Sequence, residues 1–156
     1  MGLQDISDLK RRVTKFNKDL TTGKTISNIL LENEAFIINM NAEDQLFDQG
    51  VNSLGIHIDD YAPYSDYTIE IKRMKGQPTN RVTLHDEGDF ANSIFLEVGK
   101  ESFEIKASDS KTQALIRKYG RQILGLTNEN LKELIWKYLY PELQKESKKY
   151  LYGKSS

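Results

Sequence analysis

The stretch that organises the predicted fold is residues 80–98, which reads N-R-V-T-L-H-D-E-G-D-F-A-N-S-I-F-L-E-V. A short β-branched run at residues 82–84 is followed by a polar turn at residues 85–89 and by a second apolar run at residues 94–98. This order is typical of strand, turn and strand. Gly88 lies among acidic residues and can adopt a positive φ that a residue with a Cβ resists. The pattern therefore predicts a hairpin hinged at Gly88.

Helical periodicity precedes this stretch. Apolar residues three or four positions apart predict a first helix over residues 3–20 and a longer second helix over residues 25–49, which ends at Gly50. Tyrosines and a proline then form an aromatic loop over residues 56–67, which either covers the core or offers an interface. Residues 68–75 fit two predictions: their apolar residues alternate as in a strand, but the basic residues before a glycine are typical of the last turn of a helix. We favour a short helix.

Strand signals and a last helix follow the stretch. Apolar and charged residues alternate at residues 103–107, which predicts a second strand in a hairpin with residues 94–98. A short helix is expected within residues 108–119. The last helix begins at Thr127 as N-cap, has an apolar face that includes Ile135, and should be kinked or interrupted by Pro141.

These elements predict an α+β fold with N-terminal helices, one of them long, a small antiparallel sheet and a C-terminal helix. The length of 156 residues fits a single domain, residues 1–156. Within it, residues 1–24 form the N-terminal helix and loop, residues 25–144 the core, and residues 145–156 a flexible basic tail.

Composition restricts the classes of function. The chain has 22 basic and 23 acidic residues and a formal net charge of −1, so no global field attracts nucleic acid or an anionic membrane. It has no cysteine, which excludes disulfides, thiol catalysis and cysteine metal sites. No signal peptide or apolar run of membrane-spanning length is recognisable, so we expect no membrane partner and synthesis in a cytoplasm.

Two acid-rich turns contain the two histidines. His57 lies near Asp59 and Asp60, and His85 lies beside Asp86, Glu87 and Asp89. Such side chains can bind a divalent metal, but neither spacing matches a known metal motif, and solvated turn carboxylates explain them as well. We therefore expect no cofactor. The alternative function is a small metal-dependent hydrolytic enzyme that uses His57 or His85 with nearby carboxylates.

Two short basic runs are the candidates for phosphate contacts. They are Lys72-Arg73-Met74-Lys75 and the lysines of residues 145–149. Nearby acids balance both runs, so a solvated helix face explains them better than a nucleic-acid site.

Several short motifs in order resemble the Mu-type virion morphogenesis, or tail-completion, proteins of bacteriophages. They are Q-L-F-D-Q-G, Y-A-P-Y-S-D-Y-T-I-E-I-K, V-T-L-H-D-E-G-D-F-A-N-S-I and R-Q-I-L-G-L-T-N-E-N-L-K-E-L-I, and they cover residues 44–143. The residues that match the family's T-x-x-x-K segment are Thr68 and Lys72. Those that match its hinge are Leu84, Gly88, Phe90 and Ser93, and those at the start of the last helix are Arg121, Leu124, Gly125 and Leu126. At two hinge positions the residue differs from the usual one: Phe90 stands where the family usually has leucine, and Glu87 stands where it usually has threonine.

The resemblance implies assembly rather than catalysis. It implies a head-tail connector, neck or tail-completion subunit that joins copies of itself into a ring in the virion, next to portal, adaptor and tail proteins, with transient, non-specific passage of DNA. Assembly would occur in the cytoplasm of the bacterial host. The expected structural hinge consists of Leu84, Asp86, Gly88, Asp89, Phe90 and Ser93. The expected interface residues are Tyr61, Pro63, Tyr64, Arg121, Gly125, Lys148 and Lys149.

Overall fold

The computed structural model describes residues 3–152. This part of the chain is mostly helical with one two-stranded antiparallel sheet and a C-terminal helix, which confirms the predicted α+β class. Its residues divide into two compact units. Unit 1 contains residues 3–33, 98–103 and 133–152, and unit 2 contains residues 34–97 and 104–132. The single domain over residues 1–156 stays a prediction.

Unit 1 is built mainly from helices. α1 (Leu3–Thr21) follows the predicted apolar stripe, and both α2 (Lys24–Glu32) and α8 (Tyr140–Tyr152) pack against it. The ring centroids of Phe16 and Tyr150 lie 5.1 Å apart. The Tyr150 hydroxyl also donates a 2.9 Å hydrogen bond to the carboxylate of Asp19. The last helix is thereby held on the first.

The predicted flexible tail is a helix as far as Tyr152, and residues 153–156 of that tail lie outside the described part of the chain. The physical reason is Tyr150, whose ring and hydroxyl both find partners on α1. Residues 145–152 of the predicted tail are therefore helical, and the flexibility of the tail stays a prediction.

Pro141 follows a π-helical segment, Leu134–Leu139. The N–H of Tyr140 donates to the carbonyl of Ile135, five residues back, directly before the residue that lacks an N–H. Because a π turn is wider than an α turn, it relieves the clash between a proline ring and the carbonyl four residues back. The interruption of the last helix predicted at Pro141 is thus a change from α-helical to π-helical hydrogen bonding just before the proline. Ile135 itself is 37% exposed, not buried as predicted.

Unit 2 begins with α3 (Glu34–Asn39) and a π-helical segment, Met40–Gln49, which ends at Gly50 as predicted. The long helix expected over residues 25–49 is interrupted, because α2 ends at Glu32 and Asn33 leaves helical geometry with φ −106°. The side-chain amide of Asn33 donates 2.8 Å to the carbonyl of Ile29 and so satisfies the end of α2.

The later elements are short. In chain order they are a 3-10 turn (Ile58–Asp60), α4 (Asp66–Met74), α5 (Asp89–Asn92), β1 (Ile94–Val98), β2 (Phe103–Ala107), α6 (Thr112–Tyr119), a second 3-10 turn (Arg121–Ile123) and α7 (Asn128–Glu133). The helices predicted within residues 68–75 and 108–119 are confirmed, and Thr127 caps α7 by accepting the N–H of Asn130 at 3.2 Å.

The sheet pairs β1 with β2, as the alternation of residue types predicts. Ile94, Leu96 and Ile105 are buried, whereas Phe95 between the first two is exposed. Lys106 forms a salt bridge with Glu97 across the exposed side of the pair.

Residues 82–84 form no strand, so the predicted hairpin hinged at Gly88 is wrong. Val82 and Thr83 are buried, but the N–H of Thr83 donates 3.0 Å to the hydroxyl of Tyr64 and not to a neighbouring strand. Gly88, with φ +93°, precedes α5, and its carbonyl accepts the N–H of Asn92 at 2.8 Å. The apolar run is buried because it crosses the interior, not because it belongs to the sheet.

Gly23→Ala is expected to lower the free energy of unfolding by about 3 kcal/mol, from left-handed backbone strain and overpacking together. Gly23 has φ +75°, and an added Cβ would lie 2.2 Å from the carbonyl oxygen of Lys100. Gly55→Ala is the matched control, because Gly55 has φ +73° but no atom within 4 Å of the added Cβ. It should cost only about 1 kcal/mol. Urea unfolding measures both, and equal losses would contradict the contact with Lys100.

Tyr150→Phe is expected to lower the free energy of unfolding by about 1 kcal/mol at neutral pH. The hydrogen bond to Asp19, followed by burial, raises the pKa of Tyr150 above its ordinary value of 10.0. Because the folded-state pKa is the higher one, this stabilisation is complete below pH 10.0 and is lost as the pH rises through the folded-state pKa. The difference between Tyr150→Phe and the unmodified chain should therefore shrink in that range.

Tyr152→Phe is the control for this experiment, since Tyr152 is 77% exposed on the same helix. Its unfolding free energy should match that of the unmodified chain at every pH. If Tyr150→Phe is as stable as the unmodified chain at neutral pH, ring packing, and not the hydroxyl, stabilises α8.

Candidate functional site

Unit 2 contains a pocket of about 340 Å³ lined by α4, residues 84–90 and α6, which we call the Lys72 pocket. Its apolar lining comes from Tyr64, Ile71, Leu84, Phe90, Leu115 and Tyr119. Its charged lining comes from Lys72, Asp86, Glu87, Asp89 and Lys111. The pocket thus joins a mostly apolar surface to a small number of charges, as ligand sites commonly do.

Lys72 is the most unusual residue of the pocket, because it is only 5% exposed. α4 positions it: the side-chain oxygen of Ser65 caps the helix by accepting the N–H of Thr68 at 3.2 Å, and Lys72 follows Thr68 by four residues on the same face. The ammonium group of Lys72 donates to Gln77 Oε1 at 2.9 Å and to the carbonyl of His85. It also lies 5.0 Å from the centre of the Tyr64 ring.

The Asp86 carboxylate of the pocket is already engaged by another lysine. Asp86 forms a salt bridge with Lys75, whose ammonium is also 3.8 Å from Glu87. The hydrogen bond from Lys75 lowers the pKa of Asp86, and the positive charges of Lys72 and Lys111 act in the same direction. Within the described residues, no carboxylate oxygen lies within 4.0 Å of the Lys72 ammonium.

Backbone strain is located in the same pocket. Leu84 has φ +54°, and it is the one residue other than glycine with positive φ in the part of the chain that the structure describes. A left-handed conformation is costly for a residue with a branched side chain, and such residues concentrate at functional sites.

Most of the predicted hinge residues line this pocket, although the hairpin they were expected to form does not exist. Leu84, Asp86, Gly88, Asp89 and Phe90 all contribute to it. Ser93 does not, and its hydroxyl donates 2.8 Å to the carbonyl of Phe90 at the end of α5. Thr68 and Lys72, the two positions of the T-x-x-x-K segment, also line the pocket, which sequence reasoning did not predict.

The predicted interface residues fall into different environments. Tyr61, Pro63 and Arg121 are exposed in unit 2, and Lys148 and Lys149 are exposed on α8 in unit 1. Tyr64 is half-buried, and its hydroxyl is occupied by the N–H of Thr83 and so is not free in solvent.

Gly125 is half-buried, and its carbonyl takes part in hydrogen bonds within the fold. Its carbonyl accepts hydrogen bonds from Asn41 Nδ2 and Gln45 Nε2, each at 2.9 Å. Gln45 Oε1 accepts the N–H of Thr127 and the amide of Asn130, each at 2.8 Å. Asn41 and Gln45 are both completely buried, which the helical pattern did not reveal because asparagine and glutamine usually mark an exposed face.

An exposed apolar patch lies on the loop after Gly50. It consists of Leu54, Ile56 and Tyr61, exposed by 63%, 40% and 45%, and we call it the loop patch. The buried side chain of Asn52 holds it: Asn52 Oδ1 accepts the N–H groups of Leu54 at 2.9 Å and Ile56 at 3.1 Å, and Asn52 Nδ2 donates 3.2 Å to the hydroxyl of Tyr61. The backbone of Leu54 and Ile56 and the hydroxyl of Tyr61 are therefore held in place before any partner binds.

A second exposed apolar patch lies in unit 1, across the π-helical segment and the start of α8. It consists of Ile135, Trp136 and Tyr140, and we call it the helix patch. The rings of Trp136 and Tyr140 pack edge to face with centroids 5.5 Å apart, and Gln144 donates 3.2 Å to the Tyr140 hydroxyl. Trp136 nevertheless remains 65% exposed.

The two histidines lie in different settings. His57 is exposed, whereas the ring of His85 packs edge to face on Phe47 at 5.1 Å and lines the Lys72 pocket. Neither belongs to a metal site in the described residues, where no three His, Asp or Glu side chains are grouped to hold an ion.

No protein-family model matches the chain, and no curated protein or solved structure is significantly similar to it. The resemblance to tail-completion proteins therefore stays a prediction. None of the helices in the described part of the chain is long and apolar enough to cross a membrane.

Gln45→Leu is expected to lower the free energy of unfolding by about 3 kcal/mol, because it removes the hydrogen bonds of Gln45 to Gly125, Thr127 and Asn130 and leaves the buried N–H of Thr127 without its acceptor. The matched control is Gln49→Leu, at an exposed position of the same π-helical segment, which should change stability by less than about 0.5 kcal/mol. Urea unfolding followed by circular dichroism measures both. Equal stability of the two variants would show that the amide network is dispensable.

Proposed function

We propose that the chain is a bacteriophage structural protein, a head-tail connector or tail-completion subunit that assembles into a homo-oligomeric ring. The observation that carries the proposal is the presence of two different, ordered and exposed apolar patches, one in each unit. The resemblance of the motifs along residues 44–143 supports the proposed family, and the patches support assembly through the surface.

Both patches have the composition of protein interfaces. Trp and Tyr provide most of the binding energy in typical interfaces, because large rigid side chains bury much area at little entropic cost. The loop patch contains Tyr61, and the helix patch contains Trp136 and Tyr140. In each patch a hydrogen bond from a neighbouring amide, of Asn52 or of Gln144, already fixes a tyrosine.

A ring requires unlike surfaces. When one surface of a subunit binds a different surface of the next, the contact is heterologous, and a repeated contact of this kind closes into a ring if the rotation permits. We infer that the loop patch of one copy packs on the helix patch of its neighbour. The chemistry of the two patches is complementary, since one is an apolar loop and the other an aromatic helix face.

The charge distribution fits a ring through which DNA passes without being held. The formal net charge is −1, and the basic run at residues 72–75 does not present three cations to solvent. Lys72 is buried, and Lys75 is engaged by Asp86 and Glu87. Tight phosphate binding needs several free cations on one surface, so these residues are poorly suited to grip DNA.

Native mass spectrometry of the purified protein, followed by electron microscopy of the same sample, tests the proposal directly. We expect a closed ring with one defined number of subunits. A symmetric dimer that buries the same patch on both copies would contradict the head-to-tail arrangement.

Trp136→Glu is expected to abolish ring formation, because it places a charge at the centre of the helix patch. Trp136 is 65% exposed, so the fold of the subunit should survive with a stability change within about 0.5 kcal/mol. Met74→Glu is the matched control, as Met74 is 75% exposed but lies outside both patches. If Trp136→Glu still forms rings, the helix patch is not part of the interface between subunits.

A further inference from the structure

We propose that the Lys72 pocket binds a carboxylate that is attached to an apolar or aromatic group. This site is separate from the loop and helix patches and does not depend on ring assembly. The proposal rests on the burial and hydrogen bonding of Lys72, on the lining of the pocket and on the strained backbone at Leu84.

The Lys72 ammonium has capacity for one more partner. An ammonium group has three N–H donors, and in the described residues two of them reach oxygens, Gln77 Oε1 and the carbonyl of His85. Both acceptors are neutral, so they do not cancel the charge. Buried lysines are almost always paired with an anion, because an isolated charge is costly to remove from water. A bound carboxylate would supply both the third hydrogen bond and a negative charge in direct contact with the ammonium.

The lining of the pocket specifies what the carboxylate is attached to. Ile71, Phe90, Leu115 and the rings of Tyr64 and Tyr119 line the same space as Lys72. The volume of about 340 Å³ lies at the lower end of the range of about 300–1,000 Å³ typical of small-molecule sites. A phenyl ring with a short carboxylate arm matches this volume and this distribution of polar and apolar groups.

The acidic residues of the pocket favour a ligand with a single negative charge over a ligand with several. Asp86, Glu87 and Asp89 lie in the exposed segment before and at the start of α5. They would repel a ligand with additional negative groups, such as a nucleotide. A single carboxylate directed at Lys72, with its apolar end toward Phe90 and Leu115, avoids that repulsion.

The strained residue Leu84 is a second, independent sign of a binding site. Its φ of +54° persists although a left-handed leucine is unfavourable, and its side chain is part of the pocket lining. The next residue, His85, directs its carbonyl at the Lys72 ammonium. The strain therefore lies in the segment that positions Lys72 and shapes the pocket wall.

Calorimetric titration with 3-phenylpropionate, and with the neutral 3-phenylpropanamide as isostere, tests the proposal on the complete chain. We expect a saturable affinity for the carboxylate with a Kd on the order of 1 mM or tighter. The amide should bind at least about 10-fold more weakly, because it cannot form the charge-assisted hydrogen bond. Amide NMR shifts should map the bound carboxylate to residues 84–90.

Lys72→Met removes the charge and keeps most of the side-chain volume, and we expect it to weaken binding of the carboxylate by about 10-fold or more. Arg73→Met is the matched control, since Arg73 is exposed on the same turn of α4 and does not line the pocket. It should leave the affinity unchanged. If Lys72→Met does not fold, the proposal is tested by the difference in affinity between the carboxylate and the amide on the unmodified chain.

Two outcomes would overturn the proposal: no saturable binding of 3-phenylpropionate, or equal affinity for the carboxylate and its amide. The source of the carboxylate is distinguished by a second pair of probes, acetyl-Phe-Glu-amide and acetyl-Phe-Gln-amide. If the glutamate peptide binds through Lys72, the pocket accepts an acidic side chain of another protein. If only 3-phenylpropionate binds, the pocket takes a free carboxylic acid.

Discussion

Two buried amide side chains on one helical segment, Asn41 and Gln45, organise unit 2. The irregular segment that leads to α7 passes through the interior without belonging to a helix or sheet, so its backbone groups need side-chain partners. The amides provide them at the carbonyl of Gly125 and the N–H of Thr127. Because Thr127 is also the N-cap of α7, the same contacts determine where the last helix of the unit begins.

Side chains also bind the backbone of other irregular segments of unit 2. Asn52 holds the loop after Gly50, the hydroxyl of Tyr64 accepts the N–H of Thr83, and Lys72 donates to the carbonyl of His85. The sheet has only two strands, so few backbone groups in these segments are satisfied by a neighbouring strand. Buried polar side chains take their place, and their hydrogen bonds make these segments rigid.

This rigidity is what connects the fold to the proposed functions. An interface or ligand site that is ordered beforehand loses less conformational entropy on binding. The loop patch depends on Asn52 for its order, and the Lys72 pocket depends on the segment that contains Leu84 and His85. Assembly through the patches and carboxylate binding in the pocket would therefore both use surfaces that the core already positions.

Periodicity and capping chemistry predicted much of the fold. The helix that ends at Gly50, the cap at Thr127 and the pairing of β1 with β2 were all recognisable, because each depends on residues close together in the sequence. For the candidate site, five of the six expected hinge residues line the Lys72 pocket, but the hairpin for which they were predicted does not form. Leu84, Gly88 and Phe90 lie together in a pocket instead.

By itself, then, the sequence determined the class of fold, most of the helices, the pairing of β1 with β2 and the near-neutral charge, since these follow from local patterns and composition. Only the tertiary structure decided that Gln45 and Lys72 are buried, that residues 82–84 cross the interior without a strand, and that α8 packs on α1. The physical reason is that burial of a polar side chain depends on partners distant in the chain. Gln45 meets Gly125 and Lys72 meets His85 only after folding has brought them together.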